Sequence, residues 1–244
     1  MAVSFVAEAH ADMAAGSVTV NVPSGTQDGD VMIAFISSTS TPAAHGTGWS
    51  DVIITQPRAG EDFGVFYRVA SSEPASYTWS WGAGGGVGAI VTYRDVDFVA
   101  PIDVTGAAGT AETSGTTITA PTITTLSAQA LLVTAYSIRT ASTFSTPTDM
   151  TERLDYTDGA AAIALAIDDQ IIAAAGATGT RATTTSATIN WGRGVSLSLR
   201  INRTIQPTAA LAMTIVPQTA TINKGPQPIV LSGSYVPAIA KTAG

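Results

Sequence analysis

The feature that most constrains this chain is its punctuation. Clusters of Gly, Pro, Asp and Ser interrupt it about every ten residues, too often for helices of ordinary length but well suited to short strands. Between the clusters, apolar residues alternate with Thr and Ser, the pattern of a sheet with two unlike faces. Ser17–Val22 reads SVTVNV, and Pro23-Ser24-Gly25 with Asp28-Gly29-Asp30 then marks a turn. Val31–Ile36 (VMIAFI) is continuously apolar, as a central strand should be. Asp51–Thr55, Phe63–Ala70, Tyr77–Trp81, Val87–Val96, Thr116–Thr119, Leu131–Ile138, Thr151–Tyr156 and Val195–Ile201 continue the series. Ala161–Ile171 is alanine-rich and has helix propensity, yet Ile163, Leu165 and Ile167 alternate at period two and no capping box precedes them. That segment is expected to be a strand. The fold class is all-β, a sandwich or a barrel.

The body is expected to span residues 1–203. Residues 204–244 differ in texture, with Pro207, Pro217, Pro226, Pro228 and Pro237 among the chain's 12 prolines and almost no charge. About 40 residues make a poor independent core. Leu211, Met213, Ile215, Val230 and Leu231 are nevertheless too apolar for a solvated linker, so this stretch reads as an extended arm or small β appendage that orders on a partner.

Charge narrows the partners. Lys+Arg total 11 against 18 Asp+Glu, a net charge of −7, and the only lysines are Lys224 and Lys241. Binding nucleic acid or an anionic membrane requires clustered cations, so neither is expected. Cys is 0, which excludes disulfides, a thiolate nucleophile and Cys-ligated zinc. Gly159–Ala177 is hydropathic, but Asp168 and Asp169 at its centre each cost about 2.5–3.5 kcal/mol on insertion, so it is not expected to cross a bilayer. Met1–His10 carries no basic segment followed by an apolar run, and no secretory leader is expected.

Chemistry-bearing motifs are sparse. His10 and His45 stand apart, and no G-x-S-x-G elbow is present. Asp168 and Asp169 would face opposite sides of a strand, and Asp95 and Asp97 read as turn carboxylates. Gly84, Gly86 and Ala89 match G-x-G-x-x-A, but β-prone residues follow instead of a helix, so Gly82–Ala89 reads as a hairpin loop. Asp28, Asp30, Asp155 and Asp158 lie in turns without the spacing of a calcium loop. No cofactor and no metal are expected. Trp79 and Trp81 alternate with polar residues and are assigned to a buried face. Trp49, in the loop Gly48-Trp49-Ser50, is the candidate contact for a surface glycan, with His45 in the loop before it.

Several short motifs recur in a familiar order. Gly29-Asp30-Val31-Met32-Ile33-Ala34-Phe35 is followed by Gly48-Trp49, by Phe66-Tyr67-Arg68-Val69-Ala70 and by Ser72-Glu73-Pro74-Ala75-Ser76-Tyr77-Thr78-Trp79. Ala89-Ile90, Tyr93-Arg94-Asp95-Val96, Pro101-Ile102-Asp103, Ala175–Thr180 and Val195-Ser196-Leu197 complete the set. Over residues 3–202 the chain resembles a jelly-roll-like antiparallel β-sandwich module of structural proteins in tailed bacteriophages and of some bacterial surface proteins. The resemblance implies a virion protein without catalysis, assembled in the host cytoplasm, oligomeric, and partnered by capsid or tail proteins. A head decoration protein is favoured over a tail or fibre component, because the chain is short, lacks coiled-coil heptads and has a separate arm. A carbohydrate-binding module is the alternative class, and a glycan hydrolase using Asp95 or Asp97 a distant third.

Overall fold

The computed structural model describes residues 2–12, 16–39, 42–44, 48–58, 61–81, 84–159 and 163–202, all within the unit Met1–Thr204. These residues form seventeen strands and no helix. The first eight are β1 (Ser4–Asp12), β2 (Ser17–Asn21), β3 (Val31–Ser38), β4 (Pro42–Ala44), β5 (Ser50–Arg58), β6 (Glu61–Val69), β7 (Ser76–Trp81) and β8 (Gly86–Arg94). The next nine are β9 (Ile102–Ala108), β10 (Thr117–Ala120), β11 (Thr124–Thr125), β12 (Ala130–Ile138), β13 (Thr151–Thr157), β14 (Ala164–Ile172), β15 (Gly176–Ala177), β16 (Arg181–Thr184) and β17 (Gly192–Leu199). Every predicted strand of the body is present. Ala161–Ile171 yields β14, so the period-two alternation of its branched residues prevails over alanine's helix propensity. Six strands, β1, β4, β9, β11, β15 and β16, escape the pattern; β1 and β9 do so because edge positions leave them only partly buried and blur their alternation.

Two five-stranded antiparallel sheets, ordered β1-β8-β3-β6-β5 and β13-β14-β12-β17-β9, make an antiparallel β-sandwich. Ile33, Phe35, Val65 and Val91 from one sheet share a core with Val133, Leu165, Ile167 and Leu197 from the other. Each sheet is also covered on its outer face. Strands β2-β7-β4 lie over Met32, Ala34, Ile36, Phe66 and Ile90, and β10-β16 lies over Tyr136, Ile138, Ala164 and Ala166. This layering explains the unbroken apolar runs: β3, β8 and β12 have both faces buried, so neither face selects for polar residues.

Pairing within each half is nested. Strand β1 pairs β8, β2 pairs β7 and β3 pairs β6. In the second half β9 pairs β17, β10 pairs β16, β11 pairs β15 and β12 pairs β14. A long hairpin rolled up on itself gives this order, which is that of a jelly roll. The body is thus two such rolls joined back to back.

Their sheets match strand for strand once β1, β8, β3, β6 and β5 are set against β9, β17, β12, β14 and β13. Two of the irregularities match as well, while the shifts at Ser196/Ser198 and Thr55/Arg58 belong to one roll each. Register slips between Phe5 and Ala7 in β1 where Thr92 and Tyr93 pair, and at Asp103 in β9 where the equivalent Ser198 and Leu199 pair. It slips again between Asp51 and Ile53 in β5 and between Glu152 and Leu154 in β13.

A glycine pair explains one shared motif. Gly88 pairs with Ile36 and Gly194 pairs with Tyr136, at equivalent positions in β8 and β17. A Cβ on Gly88 would lie 2.9–3.1 Å from the Val18 and Val20 side chains, and one on Gly194 would lie 2.6 Å from the Thr119 carbonyl oxygen. Each glycine lets a covering strand approach the sheet closely. The hairpin-loop reading of Gly82–Ala89 is therefore corrected: from Gly86 onward the segment is β8, with Gly86–Ala89 buried, while 82–83 lie outside the described residues. His45, Leu211, Met213, Ile215, Val230 and Leu231 also lie outside them.

Candidate functional site

The motifs that carry the family resemblance converge on structure. Trp49 precedes β5 and is only 4% exposed. Its ring meets Tyr77 edge-on at 5.3 Å and Trp79 at 5.3 Å. The glycan-stacking assignment of Trp49 is corrected by this burial, since a sugar needs a free ring face. The residue belongs to the core between β3, β6 and β7. Gly48 holds φ at +89°, and a Cβ there would fall 1.8 Å from the Arg68 guanidinium. Arg68 donates through Nε to both Glu73 carboxylate oxygens, at 3.0 and 2.9 Å, and lies over the Tyr77 ring at 5.4 Å. Glu73 also accepts from the Ser71 N–H and from the Tyr77 hydroxyl. Burial first, and then the Glu73 carboxylate, push the Tyr77 phenol up to about 12.

A second network sits at the end of the sandwich that holds Ile201 and Asn202. Asp30 is 3% exposed. It accepts Arg94 Nε at 2.9 Å and Nη2 at 2.7 Å, together with the Gln27 N–H at 2.8 Å. Arg94 Nη2 also donates to the Gly25 carbonyl. The hydrogen bonds to Asp30 raise the Arg94 guanidinium further above its ordinary range. The two rolls are tied here, for Val96 bridges Ile201 and the Asn202 N–H donates to the Asp95 carbonyl at 2.7 Å. Asp103 accepts the N–H groups of Leu126 and Ser127, and its other oxygen lies 3.6 Å from Arg200 Nε. Burial acts to raise the Asp103 carboxyl, but its hydrogen bonds and Arg200 outweigh that and hold it below the usual range.

Between these ties lies a cleft of about 290 Å³, lined by Asp28, Asp30, Arg94, Asp95, Phe98 and Asn202 among others. Three of the four large apolar side chains exposed among the described residues stand at this end: Phe98 at 55%, Val99 at 80% and Leu126 at 71%. Leu126 is tied to Asp103 through its own N–H, and Phe98 and Val99 lie in the turn between β8 and β9. Asp97 Oδ1 accepts the N–H groups of Val99 and Ala100, and the Arg200 N–H donates to the Pro101 carbonyl. These exposed apolar side chains, with the charged groups of the cleft at the same end, are the candidate site, and their chemistry suits contact with another surface. It was legible only as Phe98-Val99, two large apolar residues inside an Asp/Pro turn cluster.

The remaining candidates are dispersed. Asp97 is the turn carboxylate expected of it. Asp169 turns inward and pairs with Arg153, at 2.7 and 3.0 Å, while its neighbour Asp168 faces the other side of β14. Among the described residues no group of three or more His, Asp or Glu side chains is placed to hold a metal ion. Compared with protein-family models, with curated proteins and with solved structures, the chain matches none.

Proposed function

We propose that this is a non-enzymatic structural protein of a tailed-bacteriophage particle, a head decoration protein whose body faces outward and whose residues beyond Thr204 attach it or join copies. The observation that carries the reading is the use made of the resembling motifs. Asp30 with Arg94, Arg68 with Glu73 and Tyr77, and Trp49 with Trp79 all serve to lock strands together. Residues spent on holding a double roll rigid suit a module that is displayed repeatedly and must endure. The exposed Phe98, Val99 and Leu126, at the end that holds Asn202, suit attachment. A tail location would use the same face, and the distinction is one of copy number.

Quantitative mass spectrometry of purified particles is the first test. Hundreds of copies per particle are expected for decoration, a handful would assign the protein to the tail, and absence would overturn the reading. Attachment is tested by ending the chain after Asn202, which is expected to abolish particle binding. Because the only lysines are Lys224 and Lys241, amine-reactive cross-links to shell subunits report contacts of this segment and the amino terminus alone.

A further inference from the structure

Strand β14 carries a carboxyl group in a place that suits a carboxylate poorly. Asp168 is 2% exposed, and its Oδ1 has no hydrogen-bond partner. It lies in the middle of a sheet, opposite Thr134 of β12 on one side and Glu152 of β13 on the other. Asp155, two pairs along β13, opens on the same face and accepts the Phe144 N–H at 3.0 Å. Asp169, the next residue, belongs to the opposite face, where Arg153 neutralises it near Tyr93. Across the covering strands, Arg181 of β16 is committed to Gln170 and to the carbonyls of Thr178 and Thr180. The Tyr136 hydroxyl donates to the Arg181 carbonyl. Asp168 therefore faces two carboxylates, while Arg153 is spent on Asp169 and the two terminal nitrogens of Arg181 on Gln170 and carbonyls, its buried Nε donating to no partner.

Strand β13 is the element with most to lose from this. It is an edge strand of its sheet, its register is interrupted at Arg153, and only Leu154 among its residues is buried. It also closes one seam of the sandwich against β1. There the Tyr156 hydroxyl donates to Asp12 at 2.8 Å, the Tyr156 ring packs on His10 at 4.1 Å, and Arg153 lies over Phe5 at 4.4 Å.

We propose that Asp168 is an alkaline-sensitive latch: neutral, it lets β13 lie against β14, and ionised, it drives β13 away through Glu152 and Asp155 and opens the seam with β1. Burial, with the charges of Glu152, Asp169 and Asp155 in support, pushes the Asp168 carboxyl up to about 8, so the latch is set at neutral pH.

The test is amide hydrogen exchange on the full chain, corrected for intrinsic rates, at about pH 6.5 and about pH 9.5. Protection across Thr151–Thr157 is expected to fall about tenfold or more at the higher pH, with β12 and β17 unchanged. Asp168→Asn is expected to keep that protection at both values. Equal protection in the unaltered chain at the two values, or the same loss in Asp168→Asn, overturns the proposal. If the variant fails to fold, carbon-13 NMR of labelled aspartate in the unaltered chain decides. One carboxyl resonance must titrate above about pH 7 together with the loss of protection, and titration without that loss, or no such resonance, rejects the latch.

Discussion

Ser37 Oγ and Ser137 Oγ lie 2.5 Å apart, linking the ends of β3 and β12, the central strands of the two sheets. The two residues hold the same position in their respective rolls. Ser37 pairs with Phe63 and Val87, and Ser137 pairs with Leu165 and Arg193. Equivalent residues that meet one another are what a two-fold contact between like surfaces produces, so the single chain contains an interface of the kind usually made by two subunits.

This hydrogen bond is buried at both ends, with Ser37 2% and Ser137 0% exposed. Replacing either serine by alanine leaves the other hydroxyl without this partner, at a cost of about 1–3 kcal/mol. The double replacement is expected to cost less than the sum of the two. Urea unfolding of the single and double variants measures the coupling, and strict additivity would show that the pair does not act as a unit.

Gly88→Ala and Gly194→Ala should both destabilise, but unequally. At Gly88 the added methyl meets the Val18 and Val20 side chains, which can yield. At Gly194 it meets the Thr119 carbonyl oxygen and the Ala120 nitrogen at 2.6 and 2.7 Å, so backbone must move. Overpacking of this kind costs about 1–3 kcal/mol, with Gly194 at the upper end or beyond. Thermal denaturation of the two variants would contradict this account if Gly88→Ala proved the more damaging.

Trp49→Ala is expected to cost about 3–5 kcal/mol of stability, the range for removing a buried aromatic. Trp49→Phe, which keeps a ring against Tyr77 and Trp79, should cost less. A Trp49→Ala protein with unchanged melting temperature would place the ring outside the core and restore it as a ligand contact.

Two aspartates should shape opposite limbs of the stability–pH curve. Asp103 holds its carboxyl below the usual range, so its contribution is present above the unfolded value of about 3.9 and is lost as pH falls through the lower folded value. Asp103→Asn should therefore flatten the acid limb. Asp168 has the opposite sign. Its folded value of about 8 exceeds the unfolded one, so its own contribution to stability is full below about pH 4 and declines as pH rises toward 8. Asp168→Asn should remove that decline. Urea midpoints between about pH 3 and about pH 9 check both, and an unchanged slope in either variant would reject its assignment.

Much of the body was legible because strands announce themselves locally. SVTVN, VMIAFISS and ALLVTAYSI carry their period or their apolar continuity in consecutive residues, and each became a strand. The duplication was not legible. Over residues 17–38 and 117–138, which align without a gap, only Thr19 with Thr119 and Ser37 with Ser137 are identical. Sheet order and bulge position depend on which strands meet, and many sequences satisfy the same pairing.

The candidate site divides the same way. Trp49 looked exposed because Gly48 and Ser50 flank it, yet its fate was decided by Tyr77 and Trp79, more than twenty residues away. What the sequence determined by itself was the all-β class, the places where the chain turns, and the lack of cysteine and of cationic clusters, since these are properties of short stretches or of composition. What only the tertiary structure decided was that two rolls share one core, that Asp168 lies buried facing like charge, and that Phe98, Val99 and Leu126 lie at one end. Those are relations between residues distant in the chain, and folding alone brings them together.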